Sequence, residues 1–591
     1  MPIDNPGKST LALAAALAAG QLAILGPLAV WSENRDSFAG LSGAALLTFL
    51  AAFVALTTLC LLPGLLAPRL AGSLTAALCA LTLLMWGQSF LSGRLLTGAA
   101  IADAASRIQQ VGEVLLWLAA LGTAIALARP LAKLLLRSAL LVVVVQILAL
   151  AWGSFGAEPQ IGGSGSPRER HWQELTTLSQ GRNIIVLVLD SMHRDYVTQA
   201  LSDNPELASA FSGFRVFTDH LATFPTTRFS VPAMLGGVNY DNTQPAAPFI
   251  DSVLSGPDSA PRRLREAGWN VGIATTIGAA LSAPADTRLS VDAYVRRKNF
   301  ARSLGLELLD LSAFRHAPAT LGNWVYNFDR WRLRQLVDSS RRNYHAIRSL
   351  DFVDDYAQSV AATATEPVFR FLHVGGAHAP VVVDSQCRFI GVQELRSEGY
   401  SEQVVCALRQ ALLLVERLRQ MEILDKTFLI VASDHGVSLE AEEAGSVVHA
   451  DLWSQVLDSS AAALMVKDFD SREPIDFDPA PTSILDLPAI IAQAAKDDAI
   501  GADYLPGAVE PERRRAFFYH QWNNGDWSKP YLTALHGFQV SAGSTQRSAW
   551  IYTGTAVSPE FSAKEQSRLL ADADAYFNQL PPPEIQRRQA D

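Results

Sequence analysis

Up to residue 152 the chain repeats one pattern: a long apolar run, a short polar break, then another run. The runs cover 10–31, 41–67, 71–91, 111–128 and 131–152. A helix needs roughly 20 mostly apolar residues to cross a bilayer, so the pattern predicts five transmembrane helices. Their interiors hold almost no charge, which argues against the buried core of a water-soluble protein. A cleaved signal peptide fits only the first run, and its polar flank 32–37 reads as a loop. The run 111–128 is the shortest and follows a polar stretch.

Beyond residue 152 the pattern changes. Residues 153–167 are rich in Gly, Ser and Pro and read as a flexible linker. An aliphatic run follows at 184–189, and two further buried strands are expected at 369–374 and 427–432. The first is continuous rather than alternating, the habit of a strand covered on both faces in an α/β domain. Amphipathic segments lie between them: 262–267, closed by Gly268 and followed by a strand at 269–274, and 402–421. Aromatic residues crowd 513–555, and alternation within 537–542 and 548–552 predicts short antiparallel strands that complete the soluble domain. An amphipathic helix at 563–580 precedes three prolines and a polar tail. The predicted organisation is a multi-pass α-helical membrane domain (1–152), a linker and interfacial segment (153–180), an α/β domain (181–555) and a C-terminal helix with tail (556–591).

Composition sharpens this division. Of 591 residues 49% are hydrophobic and 18% charged, and the apolar excess lies in the first 152. A net charge of -10 disfavours a nucleic-acid partner, which selects a basic face. With a cytoplasmic N-terminus, Lys8, Arg69, Arg129, Lys133 and Arg137 fall inside, and Arg35, Arg94 and Arg107 fall outside. That matches the positive-inside bias. Five spans then carry everything after Trp152 outward, into the periplasm of a bacterium with two membranes. Cys387 and Cys406 are the only cysteines of the soluble part. An exported domain can join them, and two buried free thiols fit the sequence equally well.

Polar residues close the apolar strands. Asp190-Ser191 follows the first, Gly375-Gly376-Ala377-His378 the second and Ser433-Asp434-His435-Gly436 the third. In open α/β sheets this edge binds ligands, so Asp190, His378, Asp434 and His435 are expected around one crevice. A carboxylate beside an imidazole suits a divalent metal, although Asp-His-Gly also occurs in surface turns. The segment Phe224 to Gly237 places Thr226 and Thr227 just ahead of an apolar helix. A hydroxyl there serves either as a nucleophile in the field of a helix N-terminus or as an N-cap.

Three blocks together resemble the alkaline phosphatase and sulfatase superfamily, and within it the membrane-bound phosphoethanolamine and phosphoglycerol transferases. They are Asn183-Ile-Ile-Val-Leu-Val-Leu-Asp-Ser191, Thr227-Arg-Phe-Ser-Val-Pro-Ala-Met234 and Val431-Ala-Ser-Asp-His-Gly436. Gly376-Ala-His-Ala-Pro380 is similar to the family's Gly-x-His-x-Pro block. The resemblance implies an alkaline-phosphatase-like domain with a central mixed sheet flanked by helices and a small C-terminal antiparallel sheet. It implies that Asp190, Thr227, Asp434 and His435 bind a divalent ion, zinc or manganese. It also implies that Thr227 is the nucleophile and that His378 and His449 contact the phosphoryl group or a second ion. The implied partners are a phospholipid donor, a glycan or lipid acceptor of the cell envelope and the bilayer of the inner membrane.

Two features depart from the lipid A transferases. Thr223 and Ala233 stand where those enzymes carry cysteines, and the surroundings of His449 match poorly. A phosphate- or sulfate-ester hydrolase and a catalytically inactive lipid-binding regulator are the alternatives. Sulfatases build an aldehyde from Cys or Ser, which the secondary alcohol of Thr227 cannot become.

Overall fold

The computed structural model describes residues 8–34, 41, 43–92, 107–155, 167–300, 303–326, 331–336, 344–439, 452–496, 513–522 and 529–578. The chain divides into two compact units. One comprises Met1–Gly163 with Arg296–Asn343, the other Ser164–Val295 with Tyr344–Asp591.

The first unit is helical. Its helices are α1 (Lys8–Gly20), α2 (Gly26–Glu33), α3 (Gly43–Leu66), α4 (Ala71–Ser92), α5 (Arg107–Ala126) and α6 (Ala128–Phe155). Helical segments Lys8–Glu33, Gly43–Leu66, Pro68–Phe90 and Ala128–Trp152 are long and apolar enough to cross a membrane. The remaining predicted span is a shorter apolar helix, Gln110–Ala126. Its Glu113 accepts from Ala319 N at 2.8 Å and from Gln88 Nε2 at 3.3 Å, so a charge in this run has protein partners. Leu66, Leu148 and Trp152 lie exposed on the helix surfaces, as suits helices surrounded by lipid tails.

Between α1 and α2 the helix widens into a π turn, Gln21–Leu25. A π turn disturbs the regular backbone ladder, and Leu22 O accepts from Ser312 Oγ at 2.7 Å. Ser312 belongs to α8, Leu304–His316, a helix far along the chain that packs in this unit. His316 lies 3.1 Å from Gln21 Nε2, and its Nδ1 donates to Ser312 O at 2.7 Å. Gly26 allows the approach, because a β-carbon there would collide with Ser312 Oγ and His316 Cε1.

The second unit is built on an eight-stranded sheet. In chain order its strands are β1 (Asn183–Leu189), β2 (Phe214–Leu221), β3 (Asn270–Thr275), β4 (Thr287–Ser290), β5 (Val368–Val374), β6 (Thr427–Ala432), β7 (Leu464–Lys467) and β8 (Asp476–Ser483). The spatial order is β8-β2-β7-β6-β1-β5-β3-β4. Strand β7 runs against its two neighbours and the other pairings are parallel. All seven residues of β1 are buried. Ile184, Val186 and Val188 enter the hydrophobic cluster on one face, Ile185, Leu187 and Leu189 that on the other. This is why the strand reads as a continuous apolar run.

Within the predicted linker region, Pro167–Thr176 forms a helix. The buried Arg370 of β5 ties it to the sheet, donating to the carbonyls of Glu174, Leu175 and Thr177 at 2.7–2.8 Å. A cation at a helix C-terminus also meets the favourable end of the helix dipole.

A small antiparallel sheet, β9 (Arg515–Tyr519), β10 (Ala534–Val540) and β11 (Trp550–Val557), arises from the aromatic-rich region. Asp219 of β2 holds it. Its carboxylate accepts from Arg515 Nη2 at 3.0 Å, Gly543 N at 2.9 Å and Ser544 N at 3.1 Å. The C-terminal helix spans Ala563–Phe577.

Cys387 and Cys406 are joined in a disulfide, with Cα atoms 5.0 Å apart. Of the two readings the sequence left open, the structure selects the bridge.

Candidate metal centre and active site

Parallel strands deliver the site residues to one edge. Asp190 follows the last residue of β1, and Ser433-Asp434-His435 follow β6, its parallel neighbour. The helix α7, Thr227–Gly236, begins shortly after β2 ends and brings Thr227 in as its first residue.

Carboxylate or imidazole atoms of Asp190, Asp434 and His435 lie within 4.8 Å of one another, and all three residues are buried. His435 Nε2 is 3.6 Å from Asp190 Oδ1 and 3.5 Å from Asp434 Oδ2. Thr227 Oγ1 is 3.4 Å from both Asp190 Oδ2 and His435 Nε2. Its neighbour Thr226 turns away, its hydroxyl 3.0 Å from His520 Nε2. Neither threonine acts as a side-chain N-cap: Thr226 occupies that position without a capping hydrogen bond.

Outer contacts hold these groups. His435 Nδ1 donates to Gly436 O at 2.7 Å, which leaves Nε2 with its lone pair towards the carboxylates. Asp434 Oδ1 accepts from the backbone N–H groups of Ser191 (3.2 Å) and His435 (3.1 Å), and Asp190 Oδ1 from Ser191 Oγ at 2.8 Å. Ser191 adopts a left-handed backbone with φ 60°. Such strain in a non-glycine residue persists only where surrounding contacts hold it. Here Tyr400 donates to Ser191 O at 2.5 Å.

The donor set fits a divalent cation. Two carboxylates, an imidazole and a hydroxyl are ligands such ions take. Asp434 Oδ2, fully enclosed, has no hydrogen-bond partner, an expensive state for a buried carboxylate oxygen. Burial alone would raise the Asp434 carboxyl, but His435 and His373 beside it hold it below the usual carboxylate range. Burial would likewise lower His435, yet Asp434 and Asp190 raise it. The cluster therefore favours positive charge at its centre.

The remaining predicted residues fall as follows. His378 is half-buried, its Nδ1 bonded to Ala379 O at 2.6 Å and its ring centroid 4.6 Å from that of His345. The turn carrying it is tied to the site by Ala377 N donating to Asp190 O at 3.1 Å. Arg228 directs Nη2 to Lys529 O at 3.0 Å. His449 lies outside the described residues. One residue the sequence reading passed over stands close by: His373 of β5, fully buried, with Nε2 3.9 Å from Asp190 Oδ2 and 3.9 Å from Asp434 Oδ2. A histidine among the buried positions expected for the strand 369–374 was the available signal.

Residues 182–457 match the sulfatase family model. This region is a sulfatase-superfamily domain. Domains of this superfamily use a divalent metal, and the Asp190, Asp434 and His435 group of the sulfatase-superfamily domain answers to that requirement. Among solved structures, the lipooligosaccharide phosphoethanolamine transferase A (EptA) of Neisseria meningitidis is similar at 13% identity, covering 84% of this chain and 97% of that one, with a TM-score of 0.33. The lipoteichoic acid synthase LtaP of Listeria monocytogenes matches at 12% identity over 71% and 97%, with a TM-score of 0.35. A phosphonate monoester hydrolase of Silicibacter pomeroyi matches at 13% over 67% and 94%, with a TM-score of 0.37. The assignment of the sulfatase-superfamily domain rests on the family match. A search of curated proteins finds no match to the sequence.

Proposed function

We propose that this protein is a membrane-anchored, metal-dependent transferase. In this reading it takes a phosphoethanolamine or phosphoglycerol group from a phospholipid and passes it to a glycan or lipid of the bacterial cell envelope. The observation that carries the reading is the Thr227 hydroxyl, 3.4 Å from both Asp190 Oδ2 and His435 Nε2 at the first position of a helix.

Asp190, Thr227, Asp434 and His435 are the residues that would hold the ion, zinc or manganese. When bound, such an ion lowers the pKa of a coordinated hydroxyl and offsets charge on phosphoryl oxygens. Thr227 Oγ1 attacks phosphorus, and its new bond forms as the bond from phosphorus to the glyceride oxygen breaks. The Thr227 proton passes to the departing alkoxide, with His378 and His449 as the proton carriers. Backbone N–H groups in the first turn of α7 have no intrahelical acceptors and face developing negative charge. In the second half the acceptor hydroxyl yields its proton, attacks the same phosphorus and releases Thr227, which is reprotonated.

Threonine at this position supports phosphoryl transfer over sulfate-ester hydrolysis by an aldehyde, for oxidation of a secondary alcohol gives a ketone. The Cys387–Cys406 disulfide supports a periplasmic location, because such bonds persist in oxidising compartments.

The test is peptide mass spectrometry of detergent-purified, zinc-loaded protein incubated with bacterial phospholipids. The expected result is an adduct on Thr227 whose mass names the transferred group, absent in Thr227→Ala. An unmodified peptide together with unimpaired turnover in Thr227→Ala would overturn the reading.

A further inference from the structure

His373 belongs to none of the roles assigned above. We infer that it is a positioning residue of the metal centre, one that holds the two carboxylates of Asp190 and Asp434 in their ligating orientation. The inference rests on the reading of that cluster as a metal site.

The side chain is fully buried, so it serves no solvent-facing purpose. Register places it opposite Val188 of β1, two residues ahead of Asp190. Its ring is anchored at one end, with Nδ1 2.8 Å from Thr276 Oγ1 and 3.4 Å from Thr275 Oγ1. Both threonines stand at the end of β3, the strand on the other side of β5. The free end, Nε2, has no hydrogen-bond partner and is equidistant, at 3.9 Å, from Asp190 Oδ2 and Asp434 Oδ2. The other oxygens of these carboxylates are already fixed by Ser191 and by the backbone of His435. Asp434 Oδ2 has no hydrogen-bond partner and Asp190 Oδ2 accepts at 3.4 Å from Thr227, itself a proposed ligand, so both face the cation position, and His373 is set against both.

With Nδ1 accepting from the Thr276 hydroxyl, the Nε2–H dipole stands between two anionic oxygens and offsets their repulsion. Carboxylate ligands commonly depend on such outer partners. His373 is farther from the carboxylates than His435, at 3.5 and 3.6 Å, or Thr227, at 3.4 Å from Asp190. That difference favours support over direct ligation.

The experiment is calorimetric titration of the full-length, detergent-purified, metal-stripped protein with zinc, alongside thermal unfolding of each stripped variant. Wild type is expected to bind one zinc. His373→Ala should lose affinity at least about tenfold, the scale of outer-partner losses. His373→Gln, which places an amide N–H near the position of Nε2, should recover most of it, and Thr276→Val should fall between. An unfolded His373→Ala leaves the His373→Gln and Thr276→Val comparison to decide. Unchanged affinity in His373→Ala, or in Thr276→Val where that comparison decides, overturns the inference. Loss in His373→Gln as deep as in His373→Ala also overturns it, by making His373 a direct ligand. A wild-type protein that binds no zinc or manganese overturns both this inference and the metal-site reading beneath it.

Discussion

At the scale of single residues, the site leaves no room where β1 and β5 end. A β-carbon on Gly376 would stand 2.6 Å from Leu189 C and 2.8 Å from Asp190 N, at a φ of 41°. Gly376→Ala is therefore expected to cost about 1–3 kcal/mol through strain alone and to weaken zinc binding by displacing Asp190. Thermal unfolding and calorimetry measure the two effects. Asp190, Asp434 and His435 were legible in the sequence because a polar group closing an apolar strand has no packing role. His373 was not. It sits within β5, and only the pairing of β5 with β1 and the approach of Thr276 show which way it faces. The motif named Thr227 over Thr226, but the direction of each hydroxyl comes from the turn into α7, which aims that of Thr227 at Asp190 and that of Thr226 at His520.

At the scale of elements, two dockings depend on buried polar groups. Helix α8 meets the π turn of the first unit through Ser312 Oγ and Leu22 O. Ser312→Val should leave that carbonyl unpaired and destabilise the unit by about 1–3 kcal/mol, read as a lower unfolding temperature in detergent. The small sheet meets β2 through Asp219, with Arg515 at 3.0 Å and Arg194 at 3.8 Å, both buried. Asp219→Ala should cost about 3–5 kcal/mol, because it strands buried guanidinium groups. Chemical denaturation with tryptophan fluorescence checks this, since Trp550 lies on β11. The apolar helices and covered strands were readable from hydrophobic periodicity. The place of α8 was not, for its short mixed sequence lies inside the region 181–555 read as one soluble domain, and its partners are some 290 residues away.

At the scale of the whole molecule, a cation that binds only the folded state stabilises it by mass action. At a thousandfold excess over Kd the gain is about 4 kcal/mol. Chelation should thus lower the unfolding temperature and added zinc restore it; identical melting curves with and without chelator would speak against a folded-state metal site. The Cys387–Cys406 bridge closes a loop with a sequence separation of 19. A bridge over a loop of that order stabilises by about 3 kcal/mol, so reductant, or Cys387→Ser with Cys406→Ser, should lower the melting temperature of the soluble unit.

The sequence by itself determined the apolar helices, the α/β character of the second half and the strand-end residues. Each of these is written in local periodicity or in a polar residue interrupting it. Tertiary structure alone decided the disulfide, the direction in which each hydroxyl of Thr226 and Thr227 points, the return of residues 296–343 to the helical unit and the place of His373. Those depend on which distant segments lie side by side, and strand pairing and helix packing set that through contacts no local pattern records.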